Sequence, residues 1–144
     1  MTLEEHYKAL ERMYLSAPIN EFYKPSIRIA DGEATVEIEI APRLHHAAGA
    51  VHGSVYFKVL DDAAFFAANS REQEVFVLTT SFTTYLTRPV SEGRLKAIGK
   101  VVNQNRSQFI AESVVYNADG KEIGRGNGIF VRSRYPLAGT GYAG

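Results

Sequence analysis

From Gly53 to about Ser70 the chain reads GSVYFKVLDDAAFFAANS, a stretch that is apolar nearly all the way round a helix. A helix of that kind belongs inside a protein rather than on its surface. At ~1.5 Å per residue it would run ~27 Å. It must be covered on most sides, so the neighbouring segments have to supply the cover.

Those segments read as strands. Val75–Thr87 is stopped by Arg88-Pro89, and Leu95–Asn103 follows the turn Ser91-Glu92-Gly93. Gln108–Tyr116 and Glu122–Arg132 flank Asn117-Ala118-Asp119-Gly120, a hairpin signal. Before the helix, Ile27 and Ile29 lead into the turn Ala30-Asp31-Gly32-Glu33. Ala34, Val36, Ile38 and Ile40 then alternate with Thr35, Glu37 and Glu39, which predicts a strand with one wet face. Residues 42–52 are irregular. Residues 2–14 predict an amphipathic helix with Leu3, Tyr7, Leu10 and Tyr14 on its apolar face, Thr2 as N-cap and Glu5 closing a capping box, with Pro18 at or just beyond its end.

The element order is helix, hairpin, buried helix, then consecutive antiparallel strands. The expected fold class is α+β, a curved antiparallel sheet wrapped round one long central helix. One sheet cannot cover a helix on every side, so a second subunit is the expected lid. Residues 1–134 are expected to form one domain, N-terminal helix included, and 135–144 a loose Gly-rich tail.

Composition narrows the function classes. Sixteen basic and sixteen acidic residues cancel, leaving no electrostatic footprint for nucleic acid or an anionic membrane. The absence of cysteine excludes thiolate chemistry. MTLEEHYKALERMYL is charged throughout and lacks the apolar core of a signal peptide, and no apolar run reaches the ~18 residues of a membrane span. A cytoplasmic protein is expected.

A carboxylate on a buried helix is costly unless it is paired. Asp62 lies four residues after Lys58, within reach of a local, partly exposed ion pair. Asp61 shares a stripe with Ser54, Phe57, Ala64, Phe65 and Ala68, and no basic residue of the helix reaches it. It is either tied to loop backbone or a general base or nucleophile. The helix start, Val51-His52-Gly53-Ser54, offers unpaired N–H groups at a positive dipole end, and glycine admits close approach of a carbonyl. That suits an oxyanion hole. The plain alternative is a glycine turn with Ser54 as cap.

The segment His52-Gly53-Ser54-Val55-Tyr56-Phe57-Lys58-Val59-Leu60-Asp61 resembles the HGG-x6-D signature of the PaaI-type (phenylacetyl-CoA thioesterase-like) hotdog family. The aromatic-rich helix ending in Asn69-Ser70, the strand from Thr79 to Leu86-Thr87-Arg88-Pro89, Asp119-Gly120 and the glycine-rich final strand also match, over roughly residues 25–133. The resemblance implies a hotdog fold and hydrolysis of an acyl- or aryl-CoA thioester. CoA would be a substrate, and no cofactor is expected. Asp61 would be the catalytic carboxylate, with the Gly53 amide on the thioester oxygen and Thr79 beside the attacking water. His46 and His52 would shape the loop and help hold the acyl carbonyl. It also implies a homo-oligomer, a dimer as the active unit and a tetramer by analogy. Two positions depart from the pattern: Ser54 replaces the second glycine, and His46 stands where relatives commonly carry Asn.

Other constellations carry less. Arg88, Arg106 and Arg125 are candidate contacts for the CoA phosphates, although lone arginines are more often plain surface charges. His45, His46 and His52 lack helical His-x3-His spacing, and no metal is expected. Gly124-Arg125-Gly126-Asn127-Gly128 is not a dinucleotide fingerprint, and its glycines are expected to thin one strand face for close packing. Two rivals stand beside the thioesterase. An enoyl-CoA hydratase or dehydratase would use Asp-x4-His or HFPG contexts, and neither occurs here, since every histidine precedes Asp61. A non-catalytic acyl-CoA-binding protein is the other.

Overall fold

A computed structural model describes residues 1–144. In chain order the elements are α1 (Leu3–Ser16), α2 (Asn20–Tyr23), β1 (Ser26–Ala30), β2 (Glu33–Glu39), a 3-10 turn (Pro42–Leu44) and α3 (Gly53–Asn69). They are followed by β3 (Val75–Leu86), β4 (Arg94–Gln104), β5 (Gln108–Tyr116), β6 (Glu122–Pro136) and a second 3-10 turn (Leu137–Gly139). All six strands form one antiparallel sheet in the order β1-β2-β4-β5-β6-β3. The sheet wraps α3, as expected. The hairpin turns fall where Asp-Gly predicts them, and Gly32 and Gly120 take positive φ there, of 65° and 80°.

The sheet lies very close to the helix. A Cβ added at Gly99 of β4 would stand 2.3 Å from the backbone carbonyl of Ala63, so only glycine lets β4 cross the helix there. The Ser113 hydroxyl donates to the Leu60 carbonyl at 2.7 Å and ties β5 to the same turn. On β6, added Cβ atoms at Gly126 and Gly128 would each fall 2.5 Å from the Phe82 ring, which lies along the strip they leave. This is the close packing that the alternating glycines predict.

Within one chain α3 is not covered all round, as expected for a helix that a single sheet cannot enclose. Every residue from Ala63 to Ser70 is buried, but Ser54 and Phe57 are exposed and Asp61 is only half-buried. These three sit at helical spacing and form an uncovered stripe. Exposed Leu78, Tyr85 and Leu86 of β3 add to the uncovered apolar surface. β3 is also a sheet edge of twelve residues with only β6 beside it.

One expectation needs correction: the tail is not loose but docked. β6 runs on to Pro136, and Leu137 and Tyr142 are buried. Their apolar area and a buried hydrogen bond offset the flexibility that the glycines confer. The Tyr142 hydroxyl meets His6 Nδ1 at 2.6 Å, and His6 Nε2 meets the Asn69 carbonyl at 3.0 Å, joining tail, α1 and the end of α3. His6, fully buried, and Met13 complete the inner face of α1, whereas Leu3 is exposed. The Thr2 hydroxyl oxygen accepts from the Glu5 N–H at 3.1 Å and caps the helix.

Candidate active site

The start of α3 is held from both sides. His52 N–H donates to the Leu44 carbonyl and Val51 N–H to the Val90 carbonyl, each at 2.9 Å. His52 itself is the N-cap: its Nδ1 accepts from the Ser54 N–H at 3.0 Å. The predicted alternative of Ser54 as cap is therefore reversed, with Ser54 as the capped residue. As the first helical residue, Gly53 has an N–H with no intrahelical partner. It opens into a cleft of about 360 Å³ lined by His46, Tyr56, Leu86 and Arg88 among others. A Cβ at Gly53 would stand 2.9 Å from Leu86 Cδ1, so a larger residue crowds that opening.

His46 also lines this cleft. Its Nδ1 accepts from the Ala48 N–H at 3.0 Å, so the neutral ring carries its proton on Nε2 and keeps one donor free. His45 turns away and meets the Ser91 carbonyl through Nε2 at 2.8 Å. The three histidines thus serve three separate contacts.

Asp61 faces a different cavity, of about 450 Å³, between α1, the α1–α2 turn, α3 and β3. The Thr79 hydroxyl donates to Asp61 Oδ1 at 2.9 Å, so the carboxylate is tied to a side chain rather than to loop backbone. Burial pushes the Asp61 carboxyl up to about 6, reinforced by the Asp62 carboxylate and opposed by the Thr79 hydrogen bond and Lys58. A carboxylate with that affinity for protons is suited to general-base work near neutral pH.

Asp62 forms the expected pair with Lys58, at 2.5 Å, but the pair is more buried than a surface bridge: the side chains are 16% and 12% exposed. The Tyr14 hydroxyl donates to the same Asp62 oxygen at 2.6 Å. Burial pushes the Tyr14 phenol far up, so it stays a donor. The Lys58 ammonium lies 5.1 Å from the ring centres of both Tyr14 and Tyr23. A carboxylate bonded by both Lys58 and Tyr14 is already satisfied, and that separates it chemically from Asp61.

Of the three arginines, only Arg88 lines the Gly53 cleft. Arg125 is exposed and makes two 2.7 Å bonds to Glu122. Arg106 sits in the β4–β5 turn, where its carbonyl accepts from Arg132. That turn lies beside Val131, whereas Leu86 at the Gly53 cleft pairs with Gly124. Seven residues of strand, about 23 Å, separate the two ends. One subunit does not bring the three arginines together. Tyr14, Asn20 and Phe76 line the Asp61 cavity and were not singled out from sequence. Only the position of Tyr14 on the apolar face of α1 gave any signal.

The two cavities share no lining residue. Within one chain, the free Gly53 amide and the Asp61 carboxylate serve different spaces.

A family model described as the thioesterase superfamily matches residues 48–123, which include both features. No curated protein sequence gives a significant match. Among solved structures, the chain is similar to the PaaI protein of the E. coli phenylacetic acid degradation operon. The TM-score is 0.84 at 19% identity, covering 94% of this chain and 99% of that one. It is also similar to an asparagine-to-aspartate mutant of the phenylacetic acid degradation protein PaaI from Thermus thermophilus, with TM-score 0.73, 25% identity, and 81% and 99% covered. AziG from S. sahachiroi gives a TM-score of 0.76 at 23% identity over 82% of this chain and 98% of that one. The architecture is the hotdog fold expected from the sequence. No helix is long and apolar enough to cross a membrane.

Proposed function

Because the chain belongs to the thioesterase superfamily, we propose that it hydrolyses the thioester bond of an acyl- or aryl-CoA. The observation that carries this reading is Asp61. It is a cavity-lining carboxylate on the central helix, held by Thr79, raised to about 6, and left without a cationic partner of its own.

The chemistry runs through water. Asp61 takes a proton from a water molecule, and the oxygen attacks the thioester carbon. The oxyanion that forms accepts from the Gly53 N–H, at the positive end of α3, with His46 Nε2–H as a second donor. Collapse breaks the C–S bond. The CoA thiolate leaves and takes the proton from Asp61, giving free CoA and a carboxylic acid. Thr79 fixes the carboxylate orientation, leaving Oδ2 for the water. His52 caps α3 so that the Gly53 amide stays available. Arg88, at the rim of the Gly53 cleft, is the arginine best placed for a CoA phosphate.

The site is proposed to form between two chains. Gly53 and Asp61 are eight residues apart, ~12 Å along one helix, whereas a reacting carbonyl must lie ~3 Å from its donor and ~3–3.5 Å from its nucleophile. Two copies joined across their open β3 edges, with helices antiparallel, would bring Gly53 of one to Asp61 of the other. The uncovered stripe of α3, the exposed apolar residues of β3 and its unpaired edge support that pairing. Two such dimers would make the tetramer expected by analogy.

The test is thiol release from a panel of acyl- and aryl-CoAs. The reading predicts free CoA and carboxylic acid in equal amounts, dependent on Asp61. No release above the uncatalysed rate across the panel would remove the thioesterase reading.

A further inference from the structure

The cavity of Asp61 carries an uneven set of charges. Two carboxylates, Asp61 and Asp62, line it, and Lys58 is the one cation among its lining residues. The two carboxylates lie three and four residues after Lys58 along α3, so both fall on its side of the helix. Its ion pair goes to Asp62, at 2.5 Å, whereas Asp61 is bonded by Thr79.

The Lys58 ammonium is held from outside α3. It lies 5.1 Å from the ring centres of Tyr14 on α1 and Tyr23 on α2, within cation–π reach of both. Tyr14 also donates its hydroxyl to Asp62. Three helices thus converge on one ammonium whose side chain is 12% exposed. Stability alone does not account for such an arrangement, because a buried ion pair can often be replaced by apolar residues of similar size at no cost. The other elements that line the cavity bring no charge to it: β3 presents Phe76, Leu78 and Thr79, and the tail presents Thr140. The titratable groups facing this space are Tyr14, Lys58, Asp61 and Asp62, with Tyr23 packed on Lys58.

We propose that Lys58 is a positioning residue for thioester hydrolysis: held by Tyr14 and Tyr23, its ammonium offsets the Asp62 charge and keeps the neighbouring Asp61 ionised, ready to take a proton from water. The proposal rests on the thioesterase reading for what Asp61 does. Burial has the largest influence on the Asp61 carboxyl, and of the two charges beside it Asp62 raises its proton affinity while Lys58 lowers it. Without Lys58, two carboxylates on adjacent residues would share a half-buried wall with no cation, and like charges so placed favour protonation of one of them.

The experiment titrates Asp61 directly, by carboxyl-carbon NMR on the full chain with the resonance assigned through Asp61→Asn. The acid limb of kcat/KM is recorded in parallel. Lys58→Met, which keeps the length and removes the charge, should move both midpoints to higher pH by about one unit. Lys58→Arg, which keeps a cation, should leave them near the wild-type position. Asp62→Asn should move them to lower pH, and adding Lys58→Met to it should bring them back up. That double variant removes the ammonium without leaving an unpaired carboxylate at position 62, so it carries the test if Lys58→Met alone does not fold. A merely structural Lys58 would lower activity at every pH and leave both midpoints in place. Midpoints unmoved by the loss of Lys58 would overturn the inference, as would a shift that Lys58→Arg reproduces. The carboxyl midpoint does not depend on turnover. Failure of the thioesterase reading would therefore show as absent thiol release with the midpoint still shifting, and failure of this inference as a fixed midpoint with thiol released.

Discussion

The Thr79 hydroxyl donates to Asp61 Oδ1 at 2.9 Å, across the gap between β3 and α3. This bond favours the ionised carboxylate, while burial and Asp62 favour the protonated one, and the balance lies at about 6. A general base works only when deprotonated. The activity, kcat/KM, should therefore fall on acidification through pH 6, tenfold per unit below it. Thr79→Val removes the lowering contact, so the acid limb should move to higher pH and the plateau should fall about tenfold. A pH–rate profile of both proteins reads this. An acid limb unmoved in the variant would mean that the bond does not tune the base.

Asp61→Asn should lower kcat by about a hundredfold or more, ~3 kcal/mol of barrier. Its stability should move the other way. The folded state holds a proton on Asp61 between pH 4 and 6 that the unfolded chain has already lost. Native stability therefore declines as pH rises through that window, and the deficit persists at neutral pH. Removing the charge should stabilise the fold at pH 7, by on the order of 2 kcal/mol. Thermal unfolding at pH 4 and pH 7 checks this: the gain should appear at pH 7 and shrink at pH 4.

Asp62→Asn should do the reverse. Activity should change only a fewfold, because Asp62 is already engaged by Lys58 and Tyr14. The loss of a half-buried, doubly bonded charge should cost about 1–3 kcal/mol, more than the ~0.5 kcal/mol of an exposed helix pair. If Asp62→Asn proves inactive while Asp61→Asn turns over normally, the roles of the two carboxylates are exchanged.

Much of this was legible in the sequence because its signals are local. The alternation in β2, the Asp-Gly turns and the apolar run of α3 each reflect a period or a dihedral requirement confined to a few residues. The separation of Asp61 from Asp62 follows from ~100° per residue round a helix. What stayed hidden depends on distant partners. Tyr142 looks like part of a loose glycine-rich tail until His6, 136 residues away, is placed beside it. The cavity of Asp61 is walled by α1 and the turn after it, and no spacing within α3 announces Asn20 or Tyr14. The placing of Arg106 at the far end of β6 from Arg88 and Arg125 is likewise a consequence of strand order.

His6 makes a further pH-dependent contribution. Burial is the main cause holding its imidazole below the usual value of 6.5, and the Asn69 carbonyl opposes this. With Nε2–H donated to Asn69, Nδ1 must accept from Tyr142, which requires the neutral ring. The unfolded chain takes up this proton at higher pH than the folded one. The stabilisation is therefore full above about pH 6.5 and is lost as pH falls from there toward the depressed folded value. His6→Gln should lower the melting temperature at pH 7.5 and flatten its fall between pH 6.5 and 5. An equally steep fall in the variant would place the acid-sensitive group elsewhere.

The central claim is that Gly53 and Asp61 act together from two chains. Asp61→Asn subunits and Gly53→Val subunits, each inactive alone, are mixed in equal amounts under conditions where subunit exchange is verified, and thiol release is measured. In a trans arrangement every mixed dimer carries one intact site and one doubly damaged site. Half the dimers are mixed and half their sites intact, so recovery should approach about a quarter of the wild-type rate. Verified exchange with no recovered activity would contradict the account.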